Sequence, residues 1–223
     1  MTAGKIDPNR DELYRKLLEI NVWAMLLIVA LVLERASDAI ISVTSVTQQV
    51  DTKVWAAVFV MGLVFGLLLA TTVGILALHV RFQAPYRYWY IILDNIFVTV
   101  PLYIAVRFSA ASISKSGASV RLNEDLFRIG AAMIAVALAF LFTRDLIVLP
   151  KIRDKLSVPP LVAVSALHLL GALLFVLLAI VPGAVLYVAV LGSIGLGLFF
   201  AGMAAIPVIS IRFAADPTTV SGP

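Results

Sequence analysis

Residues 127–149 read FRIGAAMIAVALAFLFTRDLIVL, an unbroken apolar stretch whose charges, Arg128, Arg144 and Asp145, are confined to its two ends. An α-helix rises about 1.5 Å per residue, so roughly 20 such residues cross about 30 Å of bilayer hydrocarbon. The stretch lacks the polar–apolar alternation of a transmembrane barrel strand, which excludes a barrel. Five further blocks of the same character flank it, at 20–41, 54–80, 88–107, 160–181 and 184–211. Hydrophobic residues make up 62% of the chain and charged residues 13%, which places it outside the range of a soluble domain. The fold class read from this pattern is all-α: a polytopic integral membrane protein, a bundle of six transmembrane helices. Residues 1–19 read as a cytoplasmic amphipathic N-terminal segment, 20–212 as the membrane domain and 213–223 as a short polar tail. The connections 42–53 and 108–126 are too short and too rich in Ser and Thr to form a soluble domain.

The first block is too long for a cleavable signal and has no A-x-A-like exit, so it reads as a retained helix. The segment 11–19, DELYRKLLE, carries Leu13, Leu17 and Leu18 at helical spacing and is expected to lie along the membrane surface before the chain turns inward. There is no cysteine, which removes disulfides and thiolate metal or iron–sulfur sites from consideration.

Orientation follows from the 17 basic residues. With a cytoplasmic N-terminus, that side collects Lys5, Arg10, Arg15, Lys16, Arg81, Arg87, Arg144, Lys151, Arg153, Lys155 and Arg212. The other side collects only Arg35, Lys53, Arg107, Lys115, Arg121 and Arg128, so the positive-inside bias puts both termini in the cytoplasm of a plasma (inner) membrane. The same bias explains the net charge of +4. Nucleic-acid binding is not indicated, because the basic residues flank helices and form no aromatic-interleaved patch. Tyr86, Tyr88, Trp89 and Tyr90 crowd the start of the third block, as amphipathic rings at headgroup level do.

Helix packing leaves its own marks. Gly62, Gly66, Ala70 and Gly74 recur every four residues in the second block, and Ser193, Gly197, Ala201 and Ala205 do so in the sixth, each a face that another backbone can approach closely. Pro101 is expected to disturb the third helix and free the Phe97 carbonyl, and Pro207 to kink the sixth. Thr71-Thr72-Val73-Gly74 echoes a potassium filter, but Ile75 and Leu76 follow it within an apolar helix, so the echo carries nothing.

Charges within the blocks are the functional candidates, since each costs a few kcal/mol, about 2.5 to 3.5 on insertion scales, unless it finds a partner. Toward the outside lie Glu34, Arg35, Asp38 and Arg107; toward the cytoplasm lie Asp94, Arg144, Asp145, His79 and His168. Glu34 and Asp38 share a helix face and Arg35 pairs with Asp38 at three residues' spacing, leaving an excess carboxylate for Arg107 or a cation. The alternative places this cluster in the headgroups. Asp94 and Arg144 lie at matched depth and are expected to bridge, primarily as structure.

The two histidines fall in one leaflet, the geometry of a haem held between helices; with no other ligands, hydrogen bonding within the bundle is the preferred reading and no cofactor is expected. Asp11-Glu12-Leu13-Tyr14-Arg15 and Glu124-Asp125-Leu126-Phe127-Arg128 match in character, a weak sign of a 3+3 inverted repeat of the kind transporters use. No catalytic motif stands out. The sequence therefore points to a transporter or channel for a small cation or proton, with its route beside the first, third and fourth helices. The rival is a non-catalytic membrane subunit or assembly factor. Lipid, a second copy of the chain or other membrane subunits are the expected partners.

Overall fold

The structure, a computed structural model, describes residues 8–45, 51–82, 93, 95–116, 119–152, 158–183, 187 and 191–192. It is mostly helical. Helix α1 (Pro8–Thr44) is followed by α2 (Thr52–Phe82), a π-turn (Asn95–Thr99), α3 (Val100–Ala111), a β-hairpin of β1 (Ile113–Ser116) and β2 (Ser119–Leu122), α4 (Glu124–Ile152) and α5 (Val158–Ile180). The sixth apolar block, with its small-residue stripe and Pro207, lies outside the described residues except for 187, 191 and 192, as does the tail 213–223.

One segment among the described residues, Glu124–Ile147, is long and apolar enough to cross a membrane, and the described parts Thr52–Leu68, Asn95–Ala111 and Val164–Ile180 of other helices are apolar. The described structure thus shows a mostly helical protein, and among the described residues one helix is long and apolar enough to span a membrane.

Helix α1 runs without a break from Pro8 to Thr44. After Pro8, which suits the first turn of a helix, its sequence contains neither Pro nor Gly, so nothing breaks the ladder between the polar start and the apolar block. Its 37 residues extend about 55 Å, with a Glu12–Lys16 pair at 2.9 Å on the polar first turns. Along the apolar part Met25, Val29, Val32, Ala39 and Val43 are buried at spacings of three, four and seven, a narrow seam against the other helices.

Contacts among Val43, Val54 and Val120, the Asn123–Ser112 hydrogen bond, the Lys53–Glu124 pair and Arg128 on Ala179 and Ile180 bring the end of α1, start of α2, end of α3, start of α4 and end of α5 to one pole. There the expected loop 108–126 contains a hairpin instead, with Ile113 opposite Leu122 and Lys115 opposite Val120. The sequence ISKSGASVRL alternates around Gly117-Ala118, a two-residue connection with Gly first, which is the local signal for a hairpin. Two strands alone are marginal. Here Val120 is fully buried against Val43 and Val54, and its carbonyl accepts the Asp51 N–H at 3.2 Å.

Caps finish the same pole. The Asn123 side chain accepts the N–H groups of Asp125 and Leu126 at 3.2 and 3.3 Å, and Asp51 accepts that of Lys53 at 3.0 Å, each cap stabilising its helix by about 1 kcal/mol. The Arg128 guanidinium, on the first turns of α4, donates to the Ala179 and Ile180 carbonyls at 2.7 and 2.9 Å, satisfying acceptors that the C-terminus of α5 leaves orphaned. Lys53 and Glu124 form an ion pair that ties α2 to α4. The Glu124 carboxylate, as hydrogen-bond acceptor and as charge, raises the Lys53 ammonium above its ordinary value.

The core runs through all five helices, with Val32, Met61, Leu102, Ile134 and Leu178 fully covered. Of the second block's stripe, Gly66 is buried and the side chains at 70 and 74 lie outside the described residues. Gly62 is exposed, and nothing stands within 4 Å of where its Cβ would be. At Gly130 a Cβ would meet the Ala105 carbonyl and the Ser109 hydroxyl at 3.0 Å, and at Gly171 it would meet Leu138 at 2.9 Å, so the tight crossings are α3 on α4 and α4 on α5. The π-turn lies just ahead of Pro101, which is buried in the first turn of α3. The expected disturbance is therefore a wide turn, with Phe97 stacked on Phe140 of α4 at 5.0 Å.

Candidate functional site: an aspartate–histidine cluster between α4 and α5

Helices α4 and α5 pack antiparallel, and their contacts descend in step: Arg128 with Ile180, Leu138 with Gly171, then Asp145 with Ser165 and His168. Ser165 and His168 are three residues apart, one face of α5, and that face meets α4 where its apolar run gives way to Arg144-Asp145. The Asp145 Oδ2 atom lies 2.7 Å from His168 Nδ1 and accepts the Ser165 hydroxyl at 3.2 Å. Its Oδ1 accepts an Arg144 Nη2 hydrogen at 3.4 Å. His168 is 4% exposed, and the Arg144 and Asp145 side chains 14% and 16%, so the cluster is largely shielded from the surroundings. Asp145 stands about 10 Å, seven residues, from the end of α4 at Ile152, and His168 about 15 Å, ten residues, from the start of α5 at Val158.

This composition includes Ser, His and Asp, but it is not a nucleophilic triad. In a triad the imidazole lies between hydroxyl and carboxylate; here Ser165 bonds to the carboxylate itself, so its oxygen is not activated by His168. What the arrangement does is keep an imidazole and a carboxylate aligned on each other in a shielded setting between two apolar helices.

The outer candidates have another setting. Glu34, Arg35 and Asp38 are all exposed, and Arg35 Nη1 is 3.9 Å from Asp38 Oδ2, so that pair forms along α1 as its spacing implied. Glu34 lies on the side of α1 opposite its buried seam. Arg107 is exposed on α3, and no ion pair joins it to Glu34 or Asp38. Asp94 lies outside the described residues, and with it the expected Asp94–Arg144 bridge; the partner described for Arg144 is its neighbour Asp145. His79 sits on α2, where its side chain is not described, so the haem pair is not assembled by the described residues. Among the described residues no three His, Asp or Glu side chains converge on a metal-sized site.

Sequence reasoning singled out Asp145 and His168 separately and missed their pairing, together with Ser165. The matched depth of Asp145 and His168 and the three-residue spacing of Ser165 and His168 were the available signals. No protein-family model, no curated protein and no solved structure matches the chain.

Proposed function

We propose that this chain is an integral membrane protein, crossing a plasma (inner) membrane six times with both termini cytoplasmic, and that it moves a small cation or proton. The observation that carries the reading is the Asp145–His168 pair: an ionisable dyad between apolar helices, held by Ser165 and Arg144. Such groups are costly at membrane depth and mark ion and proton paths where they occur. The apolar blocks, the small-residue crossing at Gly130 and the bias of basic residues support the membrane setting. The weak 3+3 repeat is consistent with a site where two halves meet. The test is flux into vesicles containing the purified chain, under imposed proton and cation gradients. Asp145→Asn is expected to reduce flux to the level of protein-free vesicles when equal amounts of folded protein are compared; unaltered flux overturns the reading.

A second reading rests on a different observation. Trp23, Leu27, Glu34 and Ile41 are exposed along the side of α1 that faces away from the bundle, with Asp38 beside them. A carboxylate facing lipid is unfavourable, so this side of α1 favours a chain that assembles with other membrane subunits or with its own copies. Co-purification of stoichiometric foreign chains from native membranes is its expected signature.

A further inference from the structure

We infer that the side of α1 turned away from the bundle receives one transmembrane helix of another subunit, and that this helix sets a lysine or arginine against Glu34. The inference rests on the subunit reading above and gives the partner its chemistry. Helix α1 packs on its own bundle through Met25, Val29, Val32, Ala36, Ala39 and Val43, which alternate steps of four and three residues. A second row, Trp23, Leu27, Ala30, Glu34, Ser37 and Ile41, repeats the same steps two residues earlier, about 200° around the helix. Every member of this second row is exposed. Alternating steps of this kind are the seam of two helices that run side by side at a shallow angle. The row extends from 23 to 41, about 27 Å, so its occupant is a helix that crosses the membrane beside α1 and not one lying on the surface. Ala30 and Ser37, on either side of Glu34, are small enough to let a neighbouring backbone come close.

Charge identifies what that helix carries. Arg35 Nη1 is 3.9 Å from Asp38 Oδ2, and among the described residues nothing pairs with Glu34. Val43 packs on Val54, so the exposed Trp55 marks headgroup level beside the end of α1, and Glu34 lies nine residues, about 13 Å, further in. A carboxylate at that depth needs a cation. The chain's own sixth apolar block, 184–211, contains no Lys or Arg and brings none. A second copy, inserted the same way round and docked by the same row, would set Glu34 against Glu34, like charge against like. Glu34 therefore selects for a basic partner helix and against self-association along this row.

The test is site-specific photo-crosslinking of the full chain in its native membranes, with a photoreactive amino acid replacing Ala30, Ser37 or, as an exposed control on the flank of the row, Leu33. The expected result is one foreign product from Ala30 and Ser37 and not from Leu33, joined through an apolar segment of helix length that contains a Lys or Arg. Glu34→Gln is expected to lower the yield of that product at Ala30 by about tenfold or more, at equal amounts of chain, and Glu34→Asp to lower it less. Glu34 is exposed, so both variants leave the bundle's own packing in place. Adducts with lipid alone, a product between two copies of the chain, or a foreign product whose yield is unchanged in Glu34→Gln overturns the inference. Stoichiometric foreign chains that co-purify but crosslink at neither Ala30 nor Ser37 overturn it and leave the subunit reading standing; no foreign chain in either measurement overturns both.

Discussion

At the scale of single residues, the account turns on satisfied charge. Asp145 has donors on both oxygens, and removing His168 or Ser165 leaves a shielded carboxylate short of a partner. His168→Leu is therefore expected to destabilise the fold by about 1 to 3 kcal/mol. The Asp145→Asn, His168→Leu double variant should lose less than the two single losses combined, since residues in contact are coupled. Denaturant unfolding in detergent measures both. Lys53 gives a prediction of opposite exposure. Its pKa is raised by Glu124, so the tie between α2 and α4 is fully present below the ordinary lysine value of 10.5 and is lost as pH rises through the higher value in the folded chain. Lys53→Met should remove that alkaline loss without altering stability's response to pH near neutrality, as pH-dependent thermal unfolding of the two proteins would reveal. These residue-level features were partly legible. Arg35 and Asp38 announce their pairing by spacing, whereas the Asp145–His168 contact joins two helices and depends on a register that no local pattern encodes.

At the scale of elements, tightness falls where glycine meets backbone. Gly130→Ala would press a methyl against the Ser109 hydroxyl and the Ala105 carbonyl, a backbone atom that cannot swing away, while Gly171→Ala would press only on the end of the Leu138 side chain. Gly130→Ala is thus expected to lower stability by roughly 1 to 3 kcal/mol, and Gly171→Ala by clearly less. Thermal unfolding of the pair separates the two crossings. Asn123→Ala should cost about 1 kcal/mol through loss of the cap on α4, with Asn123→Asp retaining most of it. Apolar blocks two, four and five correspond to helices almost directly, because propensity, hydropathy and absent breakers agree along them. The hairpin was hidden. Its alternation spans only ten residues around Gly117-Ala118, and its stability comes from Val120 seated on α1 and α2, a tertiary contact. At Gly62, spacing identifies a small-residue position without saying whether a neighbour uses it, and nothing stands within 4 Å of where its Cβ would be.

At the scale of the whole molecule, the pole that carries the hairpin is closed by Lys53–Glu124, Arg128 on α5 and the two side-chain caps, while the Asp145–His168 dyad lies toward the opposite ends of α4 and α5. If the chain spans a membrane as proposed, these two poles face opposite sides. The chain contains no cysteine, so single cysteines can be placed without background. The most direct test is labelling of Ser116→Cys, in the hairpin, and Ser157→Cys, between α4 and α5, with a membrane-impermeant thiol reagent on intact cells. The account predicts that Ser116→Cys reacts on intact cells and that Ser157→Cys reacts only after the membrane is opened. Reaction of both positions from the same side, or recovery of the chain in the water-soluble fraction, would contradict it.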